Sequence, residues 1–270
     1  MFLRYFYILS LLLCWSQNAL SQNVAKLRSL SSERPSKSDS IYTLNHGKFL
    51  FETSFLSKTK TQNSDQKISA TNLFDLSTFR YGLNDENEIQ IIQNPLIYKK
   101  ISQQNLSQKF QGRGETFLRF KHNFLGNDRG NIGLALTPFV KIIKSSRNET
   151  GSDLRGGLIM PFQVKILDDL TLGGMYQLNY YKTQNNVKNN RYFAIINAYY
   201  LSKDFTKKIS SYAEFYSLKT FVNKNFVQNY LDFGVNYLLT DNLKLDVGAN
   251  FGVSKKADDL NYFSGMAYRF

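Results

Sequence analysis

The chain has 270 residues, 34 lysines and arginines against 21 acidic residues, and one cysteine, Cys14. A lone cysteine excludes intrachain disulfides and cysteine-only zinc sites. The net charge of +13 raises nucleic-acid binding as a first thought, but no compact basic motif accompanies it and the first residues read as an export signal.

Arg4 supplies a positive n-region, and Phe6 to Trp15 form an apolar run of about ten residues, too short to span a bilayer. Ala19, Leu20 and Ser21 give a small-x-small cleavage pattern, which predicts a signal peptide over residues 1–21 and a mature chain starting at Gln22. A retained anchor is the alternative; a lipoprotein is disfavoured because Leu13 precedes Cys14 where a lipobox wants a small residue. With Cys14 removed, a cysteine nucleophile is excluded too. No later segment reaches the roughly 18 uncharged apolar residues of a membrane helix. Membrane entry after export therefore requires a closed barrel, which satisfies every backbone amide in lipid. Residues 22–46 are polar, Ser-rich and without period, and are read as an irregular N-terminal segment for which a barrel lumen is a candidate location.

From Gly47 the chain alternates apolar and polar residues with period two, the signature of half-buried strands. Strands are predicted over 47–57, 69–81, 87–97, 114–124, 131–142, 155–166, 170–181, 191–201, 207–217, 227–239, 242–253 and 261–270. Leu243, Leu245, Val247, Ala249, Phe251 and Val253 share one face of the eleventh; Lys244, Asp246, Gly248, Asn250 and Gly252 share the other. A soluble β-sandwich gives the same alternation. The connections favour a barrel: tight turns at 84–86, 126–130, 168–169, 202–204 and 240–242 alternate with longer polar loops near 58–68, 98–113, 143–154, 182–190, 218–226 and 254–260. The 17 tyrosines and 22 phenylalanines fit the aromatic girdles of such a barrel. Pro138 and Pro161 fall inside predicted strands, where they are expected to mark bulges or strand ends. The fold class is therefore an all-β, transmembrane antiparallel up-and-down barrel of about twelve strands over residues 47–270.

The last strand ends at Phe270, with Tyr268, Met266 and Tyr262 on the same face. A terminal aromatic on an alternating strand resembles the signal by which barrel-insertion machinery recognises outer-membrane proteins.

Several motifs carry a family resemblance over nearly all of the mature chain. They are Glu33-Arg-Pro-Ser-Lys-Ser-Asp-Ser-Ile-Tyr-Thr43 followed by Gly47, Phe49 and Glu52; Arg80-Tyr-Gly-Leu-Asn-Asp85; Gly112-Arg-Gly-Glu-Thr116 with Lys121; and the closing Leu239 to Asp246, Gly252-Val253 and Tyr268-Arg-Phe270. These resemble the bacterial outer-membrane family labelled "transporter" or "putative MetA-pathway of phenol degradation". Glu33 and Ile41 depart from the family's usual Asp and Pro. The resemblance implies an outer-membrane location and passage of small hydrophobic or aromatic compounds; no binding residue is carried over from it.

Chemistry-bearing residues are sparse. His46 and His122 are each expected on the surface or girdle, away from a Ser or Asp partner. Asp258-Asp259 sits beside Lys255 and Lys256 and reads as solvated loop charge or a weak cation site rather than an acid/base pair. No catalytic, metal or cofactor residues are assigned, and the chain is not expected to be an enzyme. The inferred inward parity gives as candidate lumen-lining residues Arg119, Lys121, Arg155, Lys165, Gln177, Tyr212, Glu214, Tyr216, Asp232, Asn236, Lys244, Asp246, Asn250 and Arg269. Tyr212 and Tyr216 could together stack an aromatic solute, or pack the lumen against the N-terminal segment around Tyr42. The expected function is an outer-membrane channel or facilitator for small, largely hydrophobic or aromatic solutes; the alternative is a structural or surface-interaction barrel with a plugged lumen. Outer-membrane lipid is an expected partner, and lipopolysaccharide phosphate is a candidate for the basic loops.

Overall fold

The computed structural model describes residues 27–62, 67–73, 77–93, 97–103, 106–112, 115–142, 154–185, 188–221 and 226–270. The strands are β1 (Phe49–Gln62), β2 (Lys67–Leu73), β3 (Ser77–Gly82), β4 (Asn87–Gln93), β5 (Ile97–Gln103), β6 (Leu106–Gly112), β7 (Thr116–Leu125) and β8 (Ile132–Ile142). They continue with β9 (Leu154–Leu167), β10 (Leu170–Asn185), β11 (Lys188–Asp204), β12 (Ile209–Phe221), β13 (Phe226–Thr240), β14 (Leu243–Gly252) and β15 (Leu260–Arg269). Three spans are made of two segments each: β2 with β3, β4 with β5, and β6 with β7, so the wall is a closed antiparallel barrel of twelve strands. β1 closes it against β15, from Leu50 opposite Arg269 to Lys60 opposite Leu260.

Which face is buried separates this barrel from a sandwich. The polar residues Glu52, Glu88, Gln90 and Lys121 are 0% exposed, whereas Val247 is 55% and Ile132 62% exposed. A soluble sandwich would bury the apolar set; here it forms the outer belt, as lipid requires. Aromatic pairs ride on that belt, among them Phe49 with Tyr81 at 4.5 Å and Phe51 with Phe79 at 4.8 Å.

The spans are longer than the alternation predicted at the end opposite the short turns. The stretch 98–113, expected as a loop, lies largely in the β5–β6 hairpin, with Ile97 opposite Gly112 and Gln103 opposite Leu106. Most of the predicted loop 58–68 likewise belongs to β1 and β2. Along these extensions lysines and glutamines interrupt the apolar parity (Lys99 between Ile97 and Ile101, Gln108 between Leu106 and Phe110), so the period-two contrast that reports a strand weakens although the ladder continues.

Pro138 and Pro161 mark neither bulges nor strand ends. Both lie within strands, and each interrupts one ladder: β7 pairs β8 at Arg119 with Phe139 and resumes at His122 with Leu136. β8 pairs β9 at Leu134 with Phe162 and resumes at Thr137 with Ile159. Register is kept across both gaps, because a missing N–H removes a hydrogen bond without adding a residue. A true register shift occurs in β1 between Ser54 and Leu56. It lets Phe55 join the outer belt while Glu52 and Ser57 both stay buried.

Candidate functional site: the lumen

Residues 28–44 enter the barrel from the short-turn end, rise to an apex at Lys37-Ser38 and return. Their sequence has no period, so their backbone amides find no ladder and bond to wall side chains instead. At the foot, Arg28 donates to both Asp128 carboxylate oxygens at 2.6 Å and to the Asp85 carbonyl at 2.9 Å. The hydrogen bond from Arg28 holds the Asp128 carboxyl below its ordinary range. The wall residue Arg269 donates to the Arg28 carbonyl at 2.7 Å. Near the apex, the Glu214 carboxylate of β12 accepts from the amides of Lys37 at 2.7 Å and Ser38 at 3.0 Å, and from the Ser38 hydroxyl at 2.5 Å. On the descent, Arg119 bonds Asp39 at 2.9 Å, Asn123 donates to the Ile41 carbonyl at 2.8 Å, and Gln163 donates to the Tyr42 hydroxyl at 2.7 Å. Ile41 rests against Gly133, where a Cβ would stand 2.5 Å from its Cδ1.

A buried ionic cluster holds the segment to one wall. Arg80 of β3 lies 3.1 Å from Glu52, 2.9 Å from Glu88 and 3.4 Å from Glu33, and its side chain is fully buried. Lys121 contacts Glu33 and donates to the Ser40 carbonyl at 2.7 Å. Burial alone would raise the Glu33 carboxyl, but the Lys121 ammonium and Arg80 guanidinium outweigh it and bring it down to about 2. Two strands along from β1, on β14, Asp246 meets Arg34 at 2.7 Å, and Lys244 donates to the Arg34 carbonyl at 3.0 Å. Gly265 makes room for the Arg34 guanidinium, since a Cβ there would stand 2.5 Å from Nη2.

From the level of the apex toward the long-loop end, the inner surface changes character. Phe139, Ile159, Met175, Ile196, Ala198, Tyr216 and Tyr230 are buried together, with Phe117 and Leu218 packed against them. All belong to the inward parity. Tyr216 stacks on Tyr230 at 4.7 Å and 16°. The loop between β14 and β15 folds onto this layer: Ala257 joins it, the Asp258 amide donates to the Tyr230 hydroxyl at 3.2 Å, and Thr61 donates to the Asp258 carboxylate at 2.5 Å. Asp258, read from sequence as loop charge, is thus tied to the wall.

The model of the family described as "Putative MetA-pathway of phenol degradation" matches residues 32–270. The chain belongs to this family. The match starts at Ser32, so it includes most of the inserted segment as well as the whole barrel. No curated protein matches the chain. Among solved structures, the β domain of the Bordetella autotransporter BrkA is similar at TM-score 0.56 and 12% identity, covering 84% of this chain and 100% of that one. The translocator domain of the autotransporter NalP from Neisseria meningitidis gives 0.53 and 11%, covering 84% and 89%. The NanC porin gives 0.51 and 9%, covering 82% and 98%. At these identities the likeness is one of fold.

Within this family member, Lys121, Glu214, Asp232, Lys244, Asp246 and Arg269 are buried in the inner wall. All but Asp232 bond directly to the inserted segment. Asp232 stands directly across from Glu214. It accepts from the Tyr212 hydroxyl at 3.0 Å, and the Asn250 amide lies 2.8 and 3.1 Å from its oxygens in the orientation that lets the NH2 donate. Arg119 is half-buried against Asp39. Arg155 pairs with Glu115 at 3.1 Å. Gln177 donates to Asn179 at 2.7 Å, and Asn236 donates to Ser210 at 3.4 Å. Lys165 is exposed at the short-turn rim, next to the register shift between Leu170 and Thr171. Tyr212 and Tyr216 share a face without forming one platform: Tyr212 is tied to Asp232, and Tyr216 pairs with Tyr230. Tyr42 lies elsewhere, against Gln163. His122 bonds Asn87 at 2.8 Å and meets Phe124 edge-on, and His46 lies 2.6 Å from the Leu83 carbonyl.

Sequence parity missed the apolar inner residues. Phe139, Ile159, Met175 and Ile196 sit in strands whose outer face is also apolar, so they give no contrast. Carrying the inward parity of Gln163 back along β9 would have found Ile159.

Proposed function

We propose that this barrel lies in the outer membrane and lets small, largely apolar or aromatic solutes across it, with residues 28–44 as the element that restricts the path. The apolar and aromatic inner layer around Phe139, Ile159, Met175, Tyr216 and Tyr230 carries this reading. A lumen made only to be filled or to conduct water has no need of it, since the interiors of membrane barrels are ordinarily polar. Membership of a family described by a putative MetA-pathway of phenol degradation supports the same solute class. Passage needs only weak affinity, because a solute held tightly does not leave. The work is binding and release without catalysis. Uptake of labelled phenol by proteoliposomes tests the reading.

The buried ionic cluster around Arg80 favours a second reading, a barrel permanently plugged by its own N-terminal segment. The same uptake measurement separates the two.

A further inference from the structure

The outward face of β10, β11 and β12 ends, toward the long loops, in a row of rings among cations. On β10 the outward residues run from Leu170 through Leu172 and Leu178 to Tyr180, and Lys182 follows. On a strand tilted by about 40°, the climb from Leu170 to Tyr180 is roughly 25 Å, the height of the apolar band of a membrane barrel. Lys182 is therefore the first outward residue of β10 past that band. Tyr180 stands opposite Phe193 with ring centroids 5.4 Å apart, and Phe193 stands opposite Phe221. Such a row of rings marks the level of the lipid headgroups.

The cations there have no counter-charge in the wall. Lys182 and Arg191 are directly opposite each other, one step beyond the row. Lys219 holds its ammonium 5.0 Å from the Phe221 ring centroid. Arg191 and Lys219 are exposed and Lys182 is half-buried. The acidic residues of β9 to β13 are Asp204 at the short-turn end, and Glu214 and Asp232 in the inner wall. Among the described residues no carboxylate pairs with Lys182, Arg191 or Lys219, whereas at the opposite rim Lys203 of β11 is paired with Asp169. Like charges directly opposite on one face of a sheet repel. An anion held between Lys182 and Arg191 relieves that, and a phosphate fits: the guanidinium grips two of its oxygens and the ammonium acts as a point charge.

Lys219 specifies more than one phosphate. It lies opposite Ile195, four residues from Arg191, or roughly 13 Å along the strand. The climb from Ile209 to Lys219 on β12 equals that from Leu170 to Tyr180 on β10, so Lys219 stands at the same edge of the band. One phosphate is too small to reach both places.

We propose that Lys182, Arg191 and Lys219, around the row of Tyr180, Phe193 and Phe221, form a docking site on the outer wall for a glycolipid bearing two separated phosphates, the lipid A part of lipopolysaccharide. One phosphate lies between Lys182 and Arg191, the other at Lys219, and the acyl chains run down the apolar belt. The inference rests on the outer-membrane placement, with the short turns in the periplasm, and is independent of solute passage.

Co-elution of radiolabelled diphosphoryl lipid A with the refolded full-length barrel in maltoside micelles tests this. The wild-type barrel is expected to hold this lipid on the order of a hundredfold more tightly than lipid A stripped of both phosphates. Inorganic phosphate in millimolar excess is expected not to displace it. Arg191→Gln weakens binding about fivefold, and Arg191→Gln with Lys182→Gln and Lys219→Gln brings it to the level of the stripped lipid. Lys207→Gln with Lys208→Gln, at an exposed short turn, leaves it unchanged. The single change serves where the triple one does not fold. Equal binding of the two lipids by the wild-type barrel, unchanged binding by Arg191→Gln, or an equal loss in the short-turn variant overturns the site. Displacement by inorganic phosphate overturns it too, in favour of a free anion. If the lipid binds and phenol does not cross proteoliposomes, the site stands and the transport reading falls. If the lipid shows no preference and phenol crosses, the reverse holds.

Discussion

Arg34 and Asp246, 212 residues apart in the chain, meet at 2.7 Å inside the barrel and pin the ascending limb of the inserted segment to β14. The Asp246 side chain is fully buried, so removing one partner strands a charge. Asp246→Asn is expected to loosen the segment by roughly 3–5 kcal/mol, the usual consequence of breaking a buried pair. Limited proteolysis from the short-turn side reads this as faster cleavage near Arg34. The double change Arg34→Met with Asp246→Leu removes both charges and should recover much of the protection.

Acid should release the segment, and Glu33 sets the window. Its carboxyl is held at about 2 when docked, against an ordinary value of 4.5. A depressed docked value means the contribution is complete above about pH 4.5 and is lost as pH falls toward 2. Its size is on the order of 3 kcal/mol. Protease protection of residues 28–44 should therefore be flat from pH 7 to 5 and fall below pH 4. Glu33→Gln should flatten that fall and lower protection at neutral pH.

The outer belt gives a prediction about folding into lipid. Val247 stands on the exposed face of β14, opposite Val235 and Ser264. Val247→Arg should cost roughly 2–4 kcal/mol in folding into liposomes, measured by urea titration. An unchanged midpoint would place this face away from lipid.

Topology is open to labelling. Lys208 lies in a short turn and Lys256 in the loop between β14 and β15. With short turns in the periplasm, Lys256→Cys should react with an impermeant maleimide on intact cells and Lys208→Cys only after lysis. The reverse pattern inverts the barrel.

The strand pattern was readable from sequence wherever the two faces met different surroundings. β14 alternates because Val247 looks outward and Asp246 bonds Arg34 inside. Contrast was lost in two ways. In β5 and β6 Lys99 and Gln108 interrupt the apolar parity of Ile97 with Ile101 and of Leu106 with Phe110, so the hairpin reads as a loop. Around Ile159 and Met175 both faces are apolar, and the inner layer went unseen. The ionic cluster was illegible for another reason: Glu33, Arg80 and Lys121 are far apart in sequence and are brought together by barrel closure and by the fold of a segment without period. Parity places Lys121 on the inward face, but parity cannot name its partner.

The measurement that bears most directly on the account is uptake of labelled phenol by proteoliposomes holding the wild-type barrel, beside empty liposomes and barrels carrying Asp246→Asn. Solute passage through an apolar inner layer past a restricting segment predicts uptake above the empty control. It also predicts faster uptake with Asp246→Asn, and slower uptake when Ile159→Asp places a charge in that layer. Uptake equal to empty liposomes with both the wild-type barrel and Asp246→Asn would contradict it and leave a barrel closed by its own N-terminal segment.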